Sequence, residues 1–181
     1  YIVVATTRPE TLLGDSAVAV HPEDIKYKNL IGKFCKLPLV DKNIPIIADE
    51  YADPEKGSGA VKITPAHDFN DFDVGKRHQL EFINIFDEFA KINENAPKRF
   101  QGLDRFEARK LILEELTQLG LLIKEEKQDM VIPYGDRSGV VIEPWLTDQW
   151  FCNAKKLAID PIKSVKENNT TFVPKNWENT F

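Results

Sequence analysis

The stretch that decides the reading is Gly57-Ser58-Gly59-Ala60-Val61-Lys62-Ile63-Thr64-Pro65-Ala66-His67-Asp68-Phe69-Asn70-Asp71. Two glycines open it, where backbone passes close to a neighbour or a ligand. Ala60 to Ile63 is short, apolar and partly β-branched, which predicts a strand. Alternate strand residues share a face, so Lys62 and Thr64 point the same way. Pro65 stops the strand. Asp68 then caps a helix predicted to run through Phe72 toward His78, and Asp71 lies one turn on from Asp68. A carboxylate in the first turn of a helix is favoured by the macrodipole and suits an ammonium partner. The plain structural alternative is a capping pair with a salt bridge to Lys62. That alternative fits Asp68 better than Asp71.

On the amino-terminal side the chain alternates apolar runs with turn residues. Ile2-Val3-Val4, Ala17 to Val20, Phe34 to Val40 and Ile44 to Ala48 all read as further strands. Pro9, Gly14, Pro22, Gly32, Pro38, Pro45 and Pro54 leave no room there for long helices. On the carboxyl side, Asp104 to Leu119 predicts a helix, with Ala108, Ile112, Leu116 and Leu119 as its buried stripe and Arg105, Arg109, Lys110, Glu114 and Glu115 as a solvated face. Strands are expected to return between Met130 and Ile142 around Tyr134-Gly135-Asp136-Arg137-Ser138-Gly139. The expected class is α+β, a β-barrel-like domain over residues 1–151 with short peripheral helices. Residues 152–181 read as a weakly patterned basic extension, carrying five Lys against three acidic residues.

The 181 residues hold 24 Lys plus Arg against 29 Asp plus Glu, a formal charge of -5, with 42% hydrophobic residues. Those proportions give a globular core and argue against a disordered acidic tail or a generic nucleic-acid coat. No apolar run nears the roughly 20 residues of a membrane span, and the amino end carries no basic leader. Two cysteines, Cys35 and Cys152, make no disulfide framework, so a reducing, cytoplasmic setting is expected. His21, His67 and His78 are scattered and no Cys-x-x-Cys is present, so no metal is assigned. Gly57-Ser58-Gly59 lacks the remainder of a phosphate loop. His67 beside two aspartates suggests a hydrolytic base, but no nucleophile elbow accompanies it. A hydrogen-bonded turn residue is the alternative.

A second polar cluster, Thr6-Thr7-Arg8-Pro9-Glu10-Thr11, follows the first predicted strand, a position where sites commonly lie. Turn capping by the threonine hydroxyls is the alternative. This cluster, extended to Asp15, resembles the opening motif of the editing insertion in class I aminoacyl-tRNA synthetases. The stretch from Ala60 to Asp71 resembles the valine-specific branch of that family, as does Pro133 to Phe151. Leucine-specific members share Thr-Thr-Arg-Pro and His-Asp…Asp but differ around Lys62-Ile63-Thr64 and Phe69-Asn70. Phe172 to Trp177 is similar to the return toward the family's catalytic domain.

The resemblance implies a hydrolase that removes threonine wrongly esterified to tRNA(Val). Its partners would be the threonine-bearing acceptor end and the rest of a synthetase chain, in a monomer. ATP and Mg would serve only the catalytic domain, whose motifs are absent here. A hydrophobic pocket rejects threonine against valine only about a hundredfold, a figure established on valine-activating enzymes themselves, so a second site must destroy the wrong product. By motif position Asp71 is expected to bind the α-ammonium. Asp68, Lys62 and Thr64 would recognise the side-chain hydroxyl and hold water. Thr6, Thr7, Arg8 and Thr11 would line the adenosine and ester side, with His67 beside them. Lys56 stands where family members usually carry an aromatic residue, so it is expected to meet a phosphate rather than stack on a base. An editing domain of the leucine or isoleucine type, or a non-catalytic module for the acceptor end, are the competing readings.

Overall fold

A computed structural model describes residues 1–129 and 131–180. The chain divides into two compact units, Tyr1–Leu146 and Thr147–Phe181. The first is built on four strands: β1 (Ala17–Val20), β2 (Phe34–Leu37), β3 (Lys42–Ala48) and β4 (Ala60–Ile63). They lie in the order β2-β3-β1-β4. β1 runs parallel to β3 and antiparallel to β4, and β2 is antiparallel to β3. The α+β class and the short helices agree with the sequence reading, but the strands form an open sheet rather than a closed barrel.

β1 is buried along its whole length because it sits inside the sheet with both faces covered. Val18 and Val20 pack with Leu12, Leu37, Ile44 and Ile46 on one face. Ala17 and Ala19 face Ile63 and Val74 on the other, their small side chains admitting a helix close to the sheet. That helix is α1 (Phe69–Arg77). Its Gly75 lets it press on the loop that leaves β4: a Cβ there would lie 2.7 Å from Pro65 Cβ. A third cluster joins Leu13, Ile85, Phe86, Ile92 and Phe100 to α2 (Arg105–Gln118) through Ala108, Ile112 and Leu116.

Several expectations need correction. Ile2-Val3-Val4 forms no strand; Ile2 and Val4 pack against the first cluster without ladder pairing. Leu119 is the residue that ends α2, and it is exposed. Arg105 and Arg109 on α2 are not a solvated face: Arg109 pairs with the buried Glu10 and Arg105 with the half-buried Glu143. Between 131 and 142 the backbone makes a single bridge, Tyr134 to Val141, in place of strands; Met130 lies outside the described residues. The second unit, expected to be weakly patterned, contains α3 (Ala154–Leu157) and α4 (Ile159–Lys166).

Candidate functional site

The nine residues that sequence reasoning nominated line one cavity of about 360 Å³: Thr6, Thr7, Arg8, Thr11, Lys62, Thr64, His67, Asp68 and Asp71. A volume of that order is ordinary for a small-ligand site. Tyr51, Val61, Ala5 and Gln128 complete the lining. Among the described residues no group of three or more His, Cys, Asp or Glu is placed to hold a metal.

β4 and α1 carry the acidic and basic groups. Asp68 caps α1, its Oδ1 accepting from the amides of Asn70 (2.8 Å) and Asp71 (3.2 Å). This is the capping role that spacing suggested. Asp71 does something different. Its Oδ2 turns back to accept the Thr64 amide at 2.8 Å, tying the helix to the end of β4. The side chain is only 6% exposed. Burial pushes its carboxyl up to about 6, partly offset by the Thr64 amide, with Asp68 adding to the rise.

Lys62 and Thr64 share a face, as alternation requires, and meet on Asp15. Asp15 Oδ1 accepts from Lys62 Nζ at 2.8 Å and from Thr64 Oγ1 at 2.6 Å, while Lys62 also reaches the Thr64 hydroxyl. Lys62 thus pairs with Asp15, not with the helix aspartates. Burial raises the Asp15 carboxyl even though Lys62 and Thr64 pull the other way. Sequence reasoning missed Asp15 because its partners lie 47 and 49 positions away.

His67 is buried with both ring nitrogens committed. Nε2 accepts the Ile85 amide at 2.9 Å, and Nδ1 faces the Pro144 carbonyl at 3.4 Å. That geometry demands the neutral ring with its proton on Nδ1, in keeping with burial drawing the pKa down to about 4. The ring stacks edge-on against Phe86, centroids 4.8 Å apart. His67 borders the cavity as a rigid wall.

The threonine loop is also fixed internally. Thr11 Oγ1 donates to the Arg8 carbonyl at 2.9 Å, and Thr6 Oγ1 accepts the Arg8 amide at 3.0 Å. Arg8 donates to the His67 carbonyl at 2.7 Å and pairs with Glu143. Glu143 also meets Arg105 at 3.3 Å. Next to Arg8, the fully buried Glu10 takes both prongs of Arg109 at 2.7 Å. These pairs bolt the loop to α2 and to the segment around 143. Opposite it, Tyr51 rests on a turn whose Asp49 is gripped by Arg77 (2.9 Å) and His78 (2.8 Å) of the α1 end. Burial would raise Asp49, but those bonds and the Tyr51 amide hold it below the usual carboxylate range. Lys56 does not line the cavity; it pairs with Asp53 at 3.3 Å in the open.

Comparison with known sequences shows that the chain belongs to the editing domains of the class I aminoacyl-tRNA synthetases. The family model for the leucyl-tRNA synthetase editing domain matches residues 24–104. Within the family the sequence stands with valine–tRNA ligases. It is 60% identical to that of Caulobacter vibrioides and 58% identical to that of Pelagibacter ubique, in each case over all of this chain and 20% and 21% of the relative. The chain therefore spans about one fifth of the length of these relatives. A solved structure, "The crystal structure of GlLeuRS-CP1", shares the fold with a TM-score of 0.54 at 13% identity, covering 71% of this chain and 83% of that one. No helix among the described residues is long and apolar enough to cross a membrane.

Proposed function

We propose that the cavity hydrolyses the ester of threonine wrongly attached to tRNA(Val), as the editing site of a valine-type synthetase. The observation that carries this reading is the pairing of a hydrogen-bonding floor, Lys62 and Thr64, with an inward carboxylate, Asp71, in one small cavity. Asp71 Oδ1, left over after Oδ2 has taken the Thr64 amide, receives the α-ammonium of the amino acid. Ionised at neutral pH, it forms a charge-assisted bond that the free acid cannot match. The floor meets the threonine hydroxyl. Valine brings no hydroxyl, so its entry leaves a buried donor unpaired at a cost of about 1–3 kcal/mol.

With the ammonium and hydroxyl held, the ester carbonyl lies toward the threonine loop and the acceptor-end ribose outside it. Water adds to the carbonyl carbon, the carbon–oxygen bond to the ribose breaks, and the ribose oxygen leaves with a proton. The products are free threonine and intact tRNA. His67 does not serve as the base, since both its nitrogens are engaged by backbone. The rate gain comes from orientation of water and ester by fixed groups. Hydrolysis needs neither ATP nor a metal in this reading, and tRNA enters from the cytoplasm with most of its grip supplied by the rest of the synthetase.

The test is release of threonine from threonyl-tRNA(Val), with valyl-tRNA(Val) as the control. Threonine is expected to leave at least tenfold faster than valine. Equal rates, or an Asp71→Ala variant at full rate, would overturn the reading.

A further inference from the structure

We propose that Asp15 is a positioning residue that fixes the hydrogen-bond polarity of the cavity floor, and through it the preference for threonine over valine; this rests on the editing function proposed above. The carboxylate is delivered by a rigid turn. Gly14 admits the chain where a Cβ would lie 2.9 Å from the Ile83 carbonyl. The Asp15 amide donates to Leu12 O at 3.1 Å, and the Ser16 amide donates to Ile63 O at 2.9 Å. The backbone at Asp15 is therefore fixed against the end of β4, whatever occupies the cavity.

Counting protons shows what it does there. The Thr64 hydroxyl has one proton, and Asp15 Oδ1 takes it at 2.6 Å. Lys62 gives one N–H to Asp15 at 2.8 Å and one to the Thr64 oxygen, leaving a third. Thr64 then has no proton to offer a ligand, and the floor presents a single oriented donor, the remaining Lys62 N–H. An incoming hydroxyl accepts from Lys62 and keeps its own proton for a carboxylate. Without the charge on Asp15, Lys62 is free to turn toward Asp71, a carboxylate that lines the same cavity. Turning to Asp71, it would occupy the oxygen reserved for the substrate ammonium and release the Thr64 hydroxyl to rotate.

The experiment compares kcat/KM on threonyl- and valyl-tRNA(Val) for the parent, Asp15→Asn, Lys62→Met and the double variant. Asparagine keeps the size and an oxygen for Thr64 but removes the charge. Asp15→Asn is expected to cut the threonine preference at least tenfold. In the Lys62→Met background it should change the preference less than twofold, because its effect runs through Lys62. An unchanged preference in Asp15→Asn, or the same factor in both backgrounds, would overturn the proposal. The double variant removes the buried pair together and so remains folded if the single one does not. A second readout needs no hydrolysis: the slowly exchanging ¹⁵N ammonium resonance of Lys62, identified by its loss in Lys62→Met, should vanish in Asp15→Asn. Its persistence would refute the role of Asp15. A parent protein that shows the resonance but no threonine preference would instead sink the editing function.

Discussion

Replacing Asp71 by Asn should make the protein more stable while destroying its proposed activity. The carboxyl is nearly excluded from water and its pKa has moved from an ordinary 3.8 to about 6. At roughly 1.4 kcal/mol per pH unit, holding this group ionised in the folded state costs about 3 kcal/mol above pH 6. The sign follows from proton binding. Between 3.8 and 6 the folded state holds the proton more tightly than the unfolded chain, so stability falls as pH rises through that window. Asparagine has no charge to bury, and its side-chain oxygen can still accept the Thr64 amide, which is 2.8 Å from Asp71 Oδ2. Urea denaturation at pH 7 should therefore show Asp71→Asn more stable by about 2–3 kcal/mol, with the gain shrinking below about 1 kcal/mol near pH 4. Deacylation of threonyl-tRNA should fall at least a hundredfold in the same variant, since a neutral amide cannot replace a carboxylate facing an ammonium. A variant less stable than the parent at pH 7, or equally more stable at both pH values, would refute the reasoning that burial raises this group.

Other outcomes follow from the same geometry. For the parent, kcat/KM on threonyl-tRNA should fall about tenfold per pH unit below pH 6, where Asp71 takes up its proton, and fall again above roughly pH 8, where the substrate ammonium loses its own, once spontaneous ester hydrolysis is subtracted. Gly75→Ala should cost about 1–3 kcal/mol in thermal or urea unfolding, because its methyl would meet Pro65 at 2.7 Å. Arg109→Met should cost about 3 kcal/mol, since it leaves the buried Glu10 with only a long 3.9 Å contact to Arg8; Glu10→Gln in the same chain should recover much of that loss. Lys56→Ala should leave threonine selectivity unchanged and stability within about 0.5 kcal/mol, because its side chain is exposed and outside the cavity.

Local signals were enough for the parts of the fold that local physics decides. The β-branched runs at 17–20, 44–48 and 60–63 are strands, and Asp68 and Asp104 cap the helices that their spacing predicts. The nine nominated residues could be gathered because two short motifs contain them all. What local reading could not supply is pairing over distance. Glu10 meets Arg109 across 99 positions and Arg8 meets Glu143 across 135, so Arg109 looked like surface charge and neither Glu10 nor Arg8 could be given its partner. Asp15 was similarly silent, quoted within a motif yet given no task, because its purpose exists only once β4 lies alongside. The stretch from 131 to 142 misled for the opposite reason. Its apolar residues invited strand pairing, but its backbone bonds close a local turn, Gly135 N–H to Val140 O and Ile142 N–H to Pro133 O at 2.9 Å each, and residues 141–145 are fastened to the rest through side chains and single carbonyls.

That last mode of attachment governs how the chain can be cut. Arg105 donates to the Val141 carbonyl at 3.1 Å, Trp145 Nε1 donates to the Phe86 carbonyl at 3.3 Å, and Glu143 answers Arg8 and Arg105. The ribbon thus works as a seat belt, buckled at its far end. A protease nick between 124 and 130 should be survivable if the severed piece stays latched. A shortened version stopping at 130 would take Glu143 away from two guanidinium groups and loosen the threonine loop from beneath. Any minimal working fragment has to extend through Trp145, even though the cavity lining itself ends at Gln128.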